Sequence, residues 1–292
     1  MHTNIGKALS LTLLILSSLT ASVTALAEET HDLVIVNGRV MDPETGLDGV
    51  RNVGIRDGKI VTITGDKIKG KQTIDAKGHV VAPGFIDTHV HVVDVPFSQK
   101  LMLRDGVTTP LDLEVGAYPV IRFYDTLKGR SQANYGATVS TIGIREKVFN
   151  PKYDSTTGNF VSDMFITSEQ SFVDMKWSAT VPTADQIKQI NQLVEEGLKQ
   201  GALGVGVPVG YMVDGVTSQE TSAWQRLAGK YGLSTFLHGR FSSQSAPTTG
   251  ILGFEELIAN VGVYGGGVLL QHMHQQALGL TEKALDMVDD AR

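Results

Sequence analysis

The sequence predicts an α/β protein: a (β/α)8-type barrel, with about six β/α units present, behind a small N-terminal β-sandwich. Three observations predict it. Short strands between glycine turns fill residues 33–82. Six apolar strands, alternating mostly with helical patterns, follow from Phe85. The first of those strands runs into His89 and His91, two imidazoles one residue apart.

Composition sets the outer limits. The chain has 292 residues, 41% hydrophobic content, 25 Lys and Arg against 31 Asp and Glu, and no cysteine. That is globular material with enough apolar content for a core. The net charge of −6 argues against a nucleic-acid partner. Without cysteine there is no disulfide frame, thiolate metal ligand or lipoprotein anchor.

Residues 1–27 read as a signal peptide. Lys7 precedes an apolar stretch from Ala8 to Leu19, and small residues end in Ala25-Leu26-Ala27 before Glu28-Glu29. The apolar run is shorter than the ~20 residues of a membrane span. The expectation is export to a periplasm or the medium, with no stable membrane insertion after cleavage. Residues 28–83 read as the β-domain. Leu33–Asn37, Val53–Arg56, Lys59–Thr64 and His79–Ala82 alternate with the turns Asn37-Gly38, Asp57-Gly58 and Lys77-Gly78. His31 and His79 read as surface residues there.

Residues 84–292 carry the barrel. Strands are expected at Phe85–His89, Thr108–Leu113, Ala137–Thr141, Leu203–Val207, Thr235–His238 and Val268–His272. The clearest helices are Thr183–Gln200, Gln219–Tyr231, Phe254–Asn260 and Glu282–Asp289, the first opened by a Thr183/Gln186 capping box. Alternation of this kind implies parallel strands joined by crossover helices. Ile187, Ile190, Val194 and Leu198 share one helix face and read as core packing. The stretch Arg145–Pro182 reads as an insertion near the active face. A full barrel takes eight units in about 250 residues. Six are counted by Arg292, so the barrel is expected to be incomplete rather than to hide two units in the insertion.

Metal-competent side chains stand at four strand ends, where barrel enzymes keep their active sites. In an extended strand Asp87, His89 and His91 share one face, so the two imidazoles can hold one divalent ion. Asp112 and Glu114 share a face of the second strand, and a carboxylate aimed into a barrel is costly unless paired or on a metal. Glu114 reads either as a metal ligand or as the partner of Arg104 or Arg145, and Asp112 as a supporting or structural group. The fifth strand offers His238 and Arg240 on one face, and the sixth His272 with His274 as its alternative. The plainer reading of His238 is a core imidazole bonded to backbone. Asp87 reads as orienting a ligand histidine or closing the strand-end turn, and Asp94 as a helix cap.

The runs APGFIDTHVH (82–91), GVTT (106–109) and GALGVGVPVGY (201–211), with the two later strand-end histidines, resemble the amidohydrolase superfamily. The nearest branch by resemblance is the N-acyl-D-amino-acid deacylases, including those for acidic D-amino acids, and the likeness extends from about Asp32 to Arg292. It implies a barrel holding one or two zinc ions on His89, His91, His238 and His272. It also implies hydrolysis of an N-acyl amino acid, a small-molecule substrate, by a metal-activated water. Arg240 would then grip the substrate carboxylate, or else form a salt bridge inside the site, and Tyr211 would contact the acyl group.

Two departures stand out. Many D-aminoacylases carry a metal-binding cysteine after the second strand, where this chain has Glu114, a carboxylate that the resemblance to other branches of the superfamily implies as a bridge between two metals. The general-base aspartate of the superfamily belongs to an eighth strand, expected beyond Arg292, and no catalytic base is assigned. The alternatives are another reaction on the same scaffold, on a cyclic amide, dipeptide or lactone, or an inactive fragment. No lysine sits at a strand end, which argues against a hydantoinase-like centre. Open strand edges predict association with a second copy or a complementing chain.

Overall fold

The computed structural model describes residues 30–166 and 175–292, so the signal peptide expected at 1–27 lies outside the described residues. The chain divides into two compact units at Pro83/Gly84.

The first unit is a five-stranded sheet. Strands β1 (His31–Asp42), β2 (Leu47–Arg56), β3 (Lys59–Thr64) and β4 (Gly70–Asp75) lie in the order β3-β2-β1-β4, and the short β5 (Val80–Val81) also pairs with β1. Asp57 and Gly58, both at positive φ, make the tight hairpin between antiparallel β2 and β3. Strand β4, GKQTID, is mostly exposed and carries no apolar alternation, which is why the sequence does not announce it. Val34, Val40 and Val53 are buried while Val50, Ile60 and Ile74 are exposed. Among the described residues this unit is a single layer. His31 is not a surface residue. It is buried over Gly54, its Nδ1 3.0 Å from the Lys69 carbonyl and its Nε2 3.4 Å from Thr62 Oγ1. Gly54 leaves the space that the ring fills, a relation between neighbouring strands that sequence order conceals.

The second unit is a curled sheet of six parallel strands. In chain order they are β6 (Phe85–Asp87), β7 (Val107–Ala117), β8 (Gly136–Ser140), β9 (Gly204–Pro208), β10 (Ser234–His238) and β11 (Gly267–Leu270). Each pairs with the next, the order that a half-barrel requires. Helices α1 (Pro96–Arg104) and α2 (Val120–Leu127), not read from the sequence, complete the early crossovers. The sequence reading assigned Arg145–Pro182 to an insertion. Here α3 (Thr141–Phe149) runs through its start, followed by α4 (Phe160–Ile166) and α5 (Lys176–Ala179). Its described residues add no strand to the parallel sheet.

Helix α6 (Ala184–Lys199) shows how the rest is built. Thr183 Oγ1 accepts the Gln186 N–H and Gln186 Oε1 accepts the Thr183 N–H, closing the capping box. Ile187, Ile190, Val194 and Leu198 recur at helical spacing and are buried. Helix α7 (Ser218–Lys230) has the same device in Thr217 and Glu220. Helices α8 (Gly250–Tyr264), α9 (Met273–Ala277) and α10 (Thr281–Ala291) finish the chain. Val139, Val205, Val207 and Leu237 from the sheet and Phe123, Ile190, Trp224 and Phe254 from the helices make one core. Among the described residues no helix is long and apolar enough to cross a membrane.

Candidate metal centre

The carboxyl ends of the strands converge on Glu114, a side chain with no exposed surface. Its Oε2 lies 2.5 Å from Nε2 of His89 and 3.4 Å from Nε2 of His91. Its Oε1 lies 2.7 Å from Nδ1 of His238 and 3.5 Å from Nε2 of His272. Each carboxylate oxygen therefore faces one pair of histidines. The ring centroids of His89 and His272 are 5.0 Å apart, and those of His238 and His272 are 4.4 Å apart. His89, Glu114 and His272 also offer ligand atoms that all lie within 4.8 Å of one another.

Local structure explains the convergence. Asp87 Oδ1 accepts the His89 N–H at 3.0 Å, a strand-end turn that places the first imidazole. His89 bridges to Asp112 of the next strand, and Val92 at positive φ turns the chain away after His91. On β7 the period of two puts Asp112 and Glu114 on the same face. The register with β8 shifts between Asp112 and Ala117, where Gly116 sits at φ +74°. A Cβ on Gly116 would come within 2.4 Å of Thr138 Oγ1, so the bulge needs glycine.

Electrostatics then follow. Burial opposes ionisation of Glu114, yet the imidazoles of His238, His89 and His91 set against it overcome this and hold the carboxyl far below its usual range. Burial likewise opposes protonation of His91, but the Asp112 and Glu114 carboxylates beside it outweigh this and push its pKa up to about 10. His272 is pushed down by burial and by the neighbouring His238. A buried carboxylate must meet positive charge, from imidazolium protons or from a metal ion. Glu114 Oε2 is buried without a well-directed hydrogen bond although two imidazole nitrogens face it. Such a donor set of nitrogens and one carboxylate suits a divalent ion such as zinc.

The other anticipated residues fall as follows. Arg145 does not pair with Glu114; it is buried against Glu220 and donates to the Trp177 and Thr180 carbonyls at 2.7 Å. Arg240 does not stand free for substrate. Its Nε and Nη2 donate to Glu256 at 2.9 and 3.0 Å, and Nη1 donates to the Val216 carbonyl at 2.9 Å. A carboxylate on the adjoining helix thus takes the fork, the salt bridge that stood as the alternative to a substrate carboxylate. Tyr211 stands half-exposed with its ring 4.4 Å from that of His238. Gly210 beside it allows the approach, since a Cβ there would lie 2.6 Å from His238 Nε2. His274 is exposed on α9, leaving His272 as the sixth-strand histidine at the centre. Asp94 caps no helix; it accepts the Ser162 hydroxyl at 2.6 Å, and α1 begins with Val95 as an N-cap lacking a side-chain bond.

Two supporting residues escaped sequence reasoning. Gln276, fully buried, accepts the Gly239 N–H at 2.7 Å and so turns its Nε2 toward His272 Nδ1 at 3.1 Å. In the metal-free chain this leaves the His272 proton on Nε2, facing Glu114. Ligation through that nitrogen requires Gln276 to yield. No sequence pattern marks Gln276, because His272 was read as a strand end and stands just before α9 as its N-cap. The other is Asn159, whose Nδ2 donates to Asp112 Oδ2 at 2.9 Å, and no sequence pattern marks it.

No protein-family model matches the chain. In sequence it is similar to the dihydroorotase of Streptococcus pneumoniae serotype 4, 38% identical over 130 residues, or 41% of this chain and 31% of that protein. It is also similar to the adenine deaminase of Listeria welshimeri serovar 6b, 39% identical over 85 residues, or 28% of this chain and 14% of that protein. In structure it is similar to the N-acyl-D-glutamate deacylase of Bordetella bronchiseptica, solved with zinc and a phosphonate inhibitor. The TM-score is 0.69 at 20% identity, over 90% of this chain and 56% of that one. A D-aminoacylase gives a TM-score of 0.66 at 19% identity, over 89% of this chain and 56% of that one. The L-hydantoinase of Arthrobacter aurescens gives 0.54 at 15% identity, over 89% of this chain and 57% of that one. At these identities the likeness to solved structures is one of fold. The chain spans little more than half the length of those structures, and its matched segments less than a third of the two sequence relatives.

Proposed function

We propose that this chain, whose relatives and fold are those of the amidohydrolase superfamily, belongs to a metal-dependent hydrolase that cleaves the amide of N-acyl-D-amino acids, N-acyl-D-glutamate among them. The observation that carries the metal-dependent part is Glu114, one oxygen toward His89 and His91 and the other toward His238 and His272. A carboxylate so placed could serve as a ligand to cations held by these histidines, and the ligand atoms of His89, Glu114 and His272 are close enough to share one. Zinc held there would lower the pKa of a water from about 15.7 to about 7 and polarise the substrate carbonyl.

The chain's own residues do the rest. Glu114 keeps the two histidine pairs at a fixed separation and supplies the negative charge that retains a cation. Asp112 is not the general base, because its oxygens are taken by Gly116, His91 and Asn159. Tyr211, packed on His238, forms a wall against the acyl group. Arg240 and Glu256 tie the Val213–Val216 turn to β10 and α8, and so hold that wall in place. The basic, apolar and small-residue pattern of residues 1–27 supports export, so the reaction is assigned outside the cytoplasm.

The deacylase reading is supported by TM-scores of 0.69 and 0.66 against 0.54 for the hydantoinase. A second reading, hydrolysis of a cyclic amide, is favoured by those sequence relatives that are named dihydroorotase. One assay separates them. Zinc-loaded protein is incubated with N-acetyl-D-amino acids, N-acetyl-L-amino acids and dihydroorotate, and released amine or ring-opened product is measured. Turnover of the D-series alone is expected. Turnover of dihydroorotate alone establishes the second reading, and failure to bind zinc overturns both.

A further inference from the structure

We propose that Asn159, in the segment between α3 and α4, is a positioning residue that prepares His91 as a metal ligand; this rests on the metal-centre reading above. The inner part of the relay is buried, with Asp112 and Asn159 both at 0% exposure, while the His91 side chain at its outer end is 31% exposed. Asn159 Oδ1 accepts the Ser162 N–H at 3.0 Å, which fixes the amide so that its Nδ2 must face Asp112. The Asn159 N–H donates to Thr157 Oγ1 at 3.0 Å, and its backbone bridges to Ala117 of β7. The amide therefore cannot turn over without breaking bonds at both ends.

Asp112 receives this donor on Oδ2. On Oδ1 it receives the Gly116 N–H at 2.9 Å and His91 Nδ1 at 3.3 Å. A carboxylate can only accept, so Nδ1 of His91 donates to Asp112, and Nε2, the nitrogen beside Glu114, is the one left to meet a cation in place of its own proton. Carboxylate partners of this kind fix the tautomer and orientation of ligand imidazoles. Asn159 adds one step. With its N–H gone, Asp112 Oδ2 is a buried acceptor without a donor, and the carboxylate is free to rotate away from His91. The 150–163 segment thus does more than cover the sheet; it sets the direction of one metal ligand.

The test uses the full chain with Asn159→Ala and Asn159→Asp, and Tyr153→Phe as a control that removes a hydrogen bond to Asp163 in the same segment. Zinc affinity is read by chelator competition. The His91 Nδ1–H held by Asp112 is read in the metal-free chain from its proton shift and its exchange with solvent, assigned with His91→Gln. Both Asn159 variants are expected to lose about 10–100-fold in zinc affinity and to exchange this proton faster, while Tyr153→Phe changes neither. The aspartate variant keeps the shape of the side chain and decides the matter where the alanine variant does not fold. Unchanged affinity and proton exchange in the aspartate variant would overturn the proposal, as would an equal loss in Tyr153→Phe. A wild-type chain that binds no zinc sinks the metal reading, and the exchange comparison still decides the role of Asn159.

Discussion

Replacing Glu114 with glutamine probes the centre of the site with almost no change of volume. The wild-type carboxylate makes close contacts with His238 at 2.7 Å and His89 at 2.5 Å. Hydrogen bonds to a charged group contribute about 1.5–3 kcal/mol each, and removing one partner of a buried ion pair costs about 3–5 kcal/mol. Glutamine keeps one acceptor but turns an NH2 toward one histidine pair. A loss of about 3 kcal/mol is therefore expected in the metal-free chain. For a unit of this size that is about 6–12 °C in melting temperature. Zinc affinity should fall more than the roughly 100-fold that losing an outer-shell partner costs, because a direct ligand is lost from both histidine pairs. Thermal melts with and without zinc, and chelator competition, measure both effects. An E114Q chain that melts within about 1 °C of wild type and binds zinc equally well would refute the reasoning about a central bridging carboxylate.

Three further outcomes are expected. His272→Ala should weaken zinc binding while His274→Ala leaves it unchanged, since His274 is exposed on α9; equal effects in chelator titrations would contradict this. Arg145→Met should lower stability by about 3–5 kcal/mol in urea melts, because Glu220 would be left buried without its partner; a change under about 1 kcal/mol would count against that pairing. Asp94 is pushed up by burial, with Asp163 adding to the shift. A raised carboxyl favours the fold when protonated, and that contribution is lost as pH rises through its titration range. Asp94→Asn should therefore melt higher than wild type at neutral pH and converge with it below the ordinary aspartate value of 3.8, whereas a constant offset at all pH values would exclude this cause.

Much of the fold was legible because it rests on short-range regularities. The six parallel strands fall within a few residues of their expected places, since apolar runs between glycine turns are local signals. Helix α6 opens at the expected capping box for the same reason. Strand β4 and helices α1 and α2 were illegible. The first is polar and held by its neighbour β1, and the others carry no side-chain cap.

Strand period and strand-end position sufficed to single out the side chains that gather around Glu114, because both follow from the backbone alone. His89, His91 and His238 were reached by that argument, and the sixth strand was left with His272 and His274. Their roles were a matter for the tertiary structure. Arg240 was open to a substrate or to a salt bridge until Glu256 of α8 came beside it, and Asp94 looked like a cap until Ser162 did. His272 was separated from His274 only when α9 carried the latter to the surface. Asn159 acquired a function solely by lying against Asp112, 47 residues away in the chain. The physical reason is common to all four. A donor or acceptor is defined by what occupies its hydrogen-bonding positions, and those partners come from segments whose distance in sequence carries no periodic signal.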